Sequence, residues 1–166
     1  MCYTSIFRRI RKIVPQLPYS HGNPVDCAID STGFKITISV DYLGTKWKKQ
    51  RRGWSKLHAV ISVNDISVLS FAITDEHVHD ARMGRKILES VKDRILRIFG
   101  DKGYDSKAIF NTFSSNAVIP PRKNASSQSR GSPARAKVVR LIRRTSEKEW
   151  KESVQYGKRW NVEIYF

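Results

Sequence analysis

The sequence predicts a mixed α/β sheet covered by helices, and three observations carry that prediction. Runs of β-branched and apolar residues, as in "VDCAID", "LHAVIS", "SVLSFAIT" and "RILRIF", suit strands. "ARMGRKILESVKDRI" instead sets Met83, Ile87, Leu88, Val91 and Ile95 at helical spacing. A chain of 166 residues with 40% hydrophobic content can bury one real core, so one main domain is expected.

Residues 1 to 24 open with the short basic amphipathic piece "SIFRRIRKIV" and pass into "PQLPYSHGNP", where prolines and a glycine exclude regular structure. They are expected to form an N-terminal appendage and linker, with the domain proper over 25–166. "VDCAIDSTGF" is predicted as a strand beginning near Val25 and carrying Asp30 close to its end. "LGTKWKKQRRGWSK" follows, with six basic residues and no acidic one, and reads as an exposed loop. The two strands of "LHAVISVNDISVLSFAITD" turn about "NDIS" into a hairpin, which gives the sheet its antiparallel part. In the next helix Asp80 stands where a cap is needed. "RILRIFGD" is a strand leading to a short helix from about Ser106 to Phe113, with Asp105 as its cap. "NAVIPP" suits one more strand, closed by the prolines. "RKNASSQSRGSPARAK" is polar and reads as loop. From about Ala134 the chain is predicted helical to its end, with Gly157 as a possible bend. No internal repeat occurs. The order strand, hairpin, helix, strand, helix, strand, helix fits an RNase H-like fold.

Charge narrows the partner. The 31 Lys and Arg outnumber 15 Asp and Glu, a net +16, which points to a polyanion. Nucleic acid is favoured because Trp47 and Trp54 lie among Lys46, Lys48, Lys49, Arg51, Arg52 and Lys56, where indoles can stack on bases or sugars. The stretch from Arg122 to Arg159 adds twelve basic residues against three Glu, and Arg140, Arg143 and Arg144 are expected to contact phosphates. Cys2 and Cys27 show neither CxxC spacing nor matching His or Cys residues, so no disulfide framework or structural zinc is expected, and Cys27 is assigned to the core. His77, His79 and Asp80 lack a further soft-ligand set and are read as a turn and helix cap. No apolar run reaches the roughly 20 residues that span a bilayer, and the N-terminus lacks the apolar centre of a secretory signal. A cytoplasmic, nucleoid-associated protein is expected, with no membrane partner.

The chemistry rests on acids at strand ends. Asp30 in "AIDST" and Asp101 in "FGDKGYD" would repel each other at the ends of adjacent strands, a cost relieved by divalent cations. Hard Mg²⁺ or Mn²⁺ prefers such oxygen ligands. A third acid on a packed helix would complete a two-metal site for phosphodiester chemistry. Glu163 is the candidate, since "YGKRWNVEIYF" aligns Tyr156, Arg159 and Glu163 on one helical face, where the arginine fork can hold a phosphate or orient a carboxylate.

With these residues in place the chain resembles the catalytic domain of DDE insertion-sequence transposases from bacteria and archaea, over roughly residues 25 to 166. "AIDSTGFK", "GDKGYDS" and the Tyr156, Arg159, Glu163 pattern carry the resemblance, and "WSKLHAVIS" and "HVHDAR" look like stretches common between the family's first two acids. The resemblance implies that Asp30, Asp101 and Glu163 are the catalytic, metal-binding triad, with Tyr156 and Arg159 as signature neighbours. It implies two bound Mg²⁺ or Mn²⁺ ions, cleavage of double-stranded DNA at element ends, and attack of the freed 3′-hydroxyl on target DNA. It also implies a homodimer. Two features depart from the pattern: the lysine expected two helical turns past the glutamate lies beyond Phe166, and the usual N-terminal DNA-binding region is reduced to the first two dozen residues. The expected domain is thus a truncated one, its last helix cut short. The alternatives are an RNase H-like nuclease without strand transfer, and an inactive DNA-binding remnant of a transposase.

Overall fold

The computed structural model describes residues 23–36, 53–65 and 67–165. The N-terminal appendage through residue 22, and the loop residues Lys46, Trp47, Lys48, Lys49, Arg51 and Arg52, lie outside the described residues. Five strands form one mixed sheet: β1 (Val25–Ile36), β2 (Gly53–Ser62), β3 (Val68–Asp75), β4 (Ile95–Phe99) and β5 (Ala117–Val118). Their order is β3-β2-β1-β4-β5. β1, β2 and β3 pair antiparallel, whereas β4 runs parallel to β1, and β5 parallel to β4. The fold is the predicted α/β class, consistent with an RNase H-like arrangement.

Alternation along β1 sends its residues to two cores. Cys27 and Ile29 face a layer with Ile98, Tyr104 and Ile119, covered by Ile87 and Leu88 of α1 (Asp80–Glu89) and by Ile109 and Phe110 of α2 (Lys107–Phe113). Ala28 faces the other way, with Phe99, Val118 and Ala59, under Trp150 of α4 (Glu147–Ser153). Helix α3 (Pro133–Arg144) reaches both layers through Val138. Where both faces are covered, successive residues are apolar and buried, as in Cys27, Ala28 and Ile29 of β1 and Ile98 and Phe99 of β4.

Four local expectations need correction. β1 does not end near Asp30 but continues to Ile36, because β2 begins at Gly53 and supplies partners as far as Ile36↔Gly53. Lys56 and Trp54 therefore belong to a strand and not to the basic loop. The cap of α1 is His79, whose Nδ1 accepts from the Ala81 amide at 3.3 Å; Asp80 instead accepts from Lys56 Nζ at 3.2 Å. The cap of α2 is Ser106, whose hydroxyl accepts from the Ile109 amide, while Asp105 is buried under a two-pronged Arg135 pair. The long terminal helix is broken at Ser146, whose hydroxyl accepts from the Glu149 amide at 3.1 Å: "SEKE" starts a new helix more favourably than it continues the old one.

Candidate active site

The parallel pairing of β1 with β4 fixes the first two acids. Ala28 lies opposite Phe99, so Asp30 and Asp101, each two residues onward, come to one level of the sheet and to the face that Ala28 and Phe99 share. β4 ends at Phe99. Asp101 then caps a single 3₁₀ turn (Lys102–Tyr104), its Oδ1 accepting from the Gly103 amide at 2.8 Å. A carboxylate ends this strand because it holds the turn that carries the chain away from the sheet.

Asp30 is more enclosed. Its Oδ1 accepts from the Ser31 amide at 2.8 Å and its Oδ2 from Arg159 Nη2 at 2.9 Å. Burial pushes the Asp30 carboxyl above the usual aspartate range. The Ser31 amide and Arg159 oppose that shift, and the charges of Asp101 and Glu163 reinforce it. The charges of Asp101 and Glu163 thus both reach Asp30.

The third acid arrives on a segment bolted to the same edge. After α4, Gln155 adopts φ 56° and turns the chain into a 3₁₀ helix (Tyr156–Tyr165). Tyr156 leans on Trp150 at 6.2 Å between ring centres and donates its hydroxyl to the Gly100 carbonyl at 2.9 Å, next to Asp101. Burial pushes its phenol up to about 12. Arg159 Nη1 donates to Glu163 Oε1 at 3.3 Å. One guanidinium therefore joins the acid of β1 to the acid of the terminal segment. The segment winds as a 3₁₀ helix and not as the expected α-helix, so Arg159 and Glu163 no longer share one face, and the length of the arginine side chain lets them meet.

Sequence reasoning missed a second anchor. Asp26, on the same face as Asp30, is buried and accepts from Arg97 Nε at 2.9 Å and from Lys158 Nζ at 3.0 Å. The Arg97 bond, above all, holds its carboxyl below the usual range. The signal lay in the register: an acid inside an apolar strand needs a cation, and Arg97 is its pairing partner on β4.

Of the residues expected to contact DNA, Trp54, Lys56, Arg140, Arg143 and Arg144 are described. Lys56 pairs with Asp80, and Trp54 is 44% exposed. Arg140 and Arg143 reach back to the Ser127 carbonyl and hydroxyl, and Arg143 also to the Ala125 carbonyl, so both strap the preceding loop to α3. Arg144 is exposed at the end of α3.

Among the described residues no group of three or more His, Cys, Asp or Glu is drawn together closely enough to hold a metal ion. Asp30, Asp101 and Glu163 each offer the oxygen donors that a hard divalent cation prefers, and the charges of Asp101, Glu163 and Arg159 all reach Asp30. No described helix is long and apolar enough to cross a membrane.

A fold of this class, with one acid on β1 just past its parallel pairing with β4, one just past the end of β4 and a third on a following helical segment, suits phosphoryl-transfer chemistry. The model of the transposase DDE domain family matches residues 21–166, and the chain belongs to that family. Family membership gives it a transposase-type function with DNA as the substrate; divalent metal ions are general in the family. No curated protein and no solved structure matches the chain.

Proposed function

We propose that this chain is the catalytic domain of an insertion-sequence transposase, which cuts double-stranded DNA at element ends and joins the freed 3′-hydroxyls to target DNA. The observation that supports this most is the Arg159 guanidinium shared by Asp30 and Glu163 beside Asp101, in a member of the transposase DDE domain family.

In the first step a water oxygen attacks the phosphorus at an element end. The P–O3′ bond breaks, and the departing 3′-oxygen gains the proton that the water loses. In the second step that 3′-hydroxyl attacks a target phosphorus in line; the target P–O3′ bond breaks and its 3′-oxygen takes the proton. Each step makes one P–O bond and breaks one, so no covalent protein intermediate is needed. Asp30, Asp101 and Glu163 would hold Mg²⁺ or Mn²⁺, two ions, whose charge when bound favours the attacking oxygen and stabilises the leaving one. Arg159 holds two of these carboxylates in place, and Tyr156 fixes the backbone that enters Asp101. Lys46, Lys48, Lys49, Arg51 and Arg52, together with Lys56 of β2 and Arg140, Arg143 and Arg144 of α3, carry DNA phosphates. Joining two ends to one target calls for a homodimer, and binding DNA puts the protein on the nucleoid.

The test incubates the chain with Mn²⁺, a supercoiled plasmid and a labelled duplex bearing a 3′-hydroxyl. Nicking and label transfer are expected, and Asp101→Ala should reduce both by at least about 10²-fold. Nicking without transfer would make the protein a nuclease of this fold. Plasmid binding without Asp101-dependent nicking would make it a non-catalytic DNA-binding chain.

A further inference from the structure

Arg159 occupies the ground between the acids. Its guanidinium donates to Asp30 Oδ2 and to Glu163 Oε1, and the other Asp30 oxygen is engaged by the Ser31 amide. A divalent cation bound by Asp30 and Glu163 together would meet this guanidinium at the same oxygens, and two cations competing for them repel. Arg159 Nε is buried and has no hydrogen-bond partner among the described residues. An arginine serving only as a permanent bridge would have that donor satisfied as well.

The segment that carries Arg159 has other anchors. Lys158 is tied to Asp26, and the Tyr156 hydroxyl to the Gly100 carbonyl. The guanidinium can therefore release its carboxylates while the segment stays docked.

We propose that Arg159 is the resident counter-cation of the DNA-free site, yields Asp30 and Glu163 to a divalent ion, and transfers its freed fork to a DNA phosphate. The inference rests on the reading of these acids as metal ligands. Exchange of this kind makes metal binding weak without DNA, because the guanidinium loses its partners. It strengthens binding on DNA, where a phosphate replaces them. The coupling is reciprocal, so the ion must also tighten DNA.

The experiment measures Mn²⁺ affinity of the intact chain from the free-ion paramagnetic resonance signal, with and without a short DNA duplex, after subtracting ion bound by duplex alone. Wild type is compared with Arg159→Gln, Arg159→Lys and Asp30→Ala. Without DNA, Arg159→Gln should bind Mn²⁺ several-fold more tightly than wild type. DNA should tighten wild type several-fold and leave Arg159→Gln nearly unchanged. If Arg159→Gln fails to melt cooperatively, Arg159→Lys, which keeps the charge and loses the fork, decides with a smaller shift in the same direction. Weaker or equal binding by the folded Arg159 variants, with Asp30→Ala inactive in binding, would overturn the exchange and leave the metal site standing. Binding unaffected by Asp30→Ala, or absent from every protein, would overturn both.

Discussion

At Asp30, burial and two neighbouring carboxylates outweigh one guanidinium and one amide, so its carboxyl holds a proton more readily in the folded state than in the unfolded chain. A raised carboxyl costs stability as pH climbs from the unfolded value of 3.8 through the folded one. Asp30→Asn should therefore unfold at no lower urea concentration than wild type at pH 7, and any advantage should shrink as pH falls toward 3.8; a clear loss of stability at pH 7 would contradict this. Asp26 has the opposite sign. Its lowered carboxyl contributes stability that is present above the unfolded value and is lost as pH falls through the folded one. Asp26→Asn should cost about 2 kcal/mol at neutral pH, the scale of a charged hydrogen bond, and the gap to wild type should close only in strong acid. These two acids lie on one face of one strand, and their surroundings shift the two carboxyls in opposite directions. "AIDST" singles out Asp30 because a family pattern surrounds it, whereas the Asp26 anchor needs the β1–β4 register to be known.

At the scale of elements, the contact of α1 with β1 is set by the space above Gly84. A Cβ there would stand 2.7 Å from Tyr104 Cε1 and 3.1 Å from Ile29 Cδ1. Both side chains are fully buried. Gly84→Ala gains about 1 kcal/mol of helix propensity but overpacks this layer by about 1–3 kcal/mol, so a net loss is expected in equilibrium unfolding. Ser146→Ala should remove the cap of α4 and cost about 1 kcal/mol, seen as a lower melting temperature. The strands and the first helix were legible because their apolar period is strong. The terminal region was not, because Ala134 onward contains helix formers throughout; the break depends on the Ser146 hydroxyl competing for the Glu149 amide and on the turn at Gln155. The two caps assigned to Asp80 and Asp105 failed for one reason. Each aspartate has an arginine or lysine partner from a distant element, which sequence spacing does not display.

For the whole molecule the net +16 and the acidic edge are complementary parts of one account. On the proposed function, basic residues would hold the DNA backbone, and the acids would hold the ions that act on it. DNA binding should weaken steeply with salt, and neutralising Arg140, Arg143 and Arg144 together should lower the slope of log K against log[salt] by about one per lost phosphate contact. An unchanged slope would restrict these arginines to strapping the loop at Ala125 and Ser127. The central claim is that acids from β1, β4 and the terminal segment form one metal site. Calorimetric titration of Mn²⁺ into the intact chain and into an Asp30→Ala, Asp101→Ala double variant tests it most directly. The account predicts binding to the intact chain and its loss in a variant that still folds, and equal binding by the two proteins would contradict it.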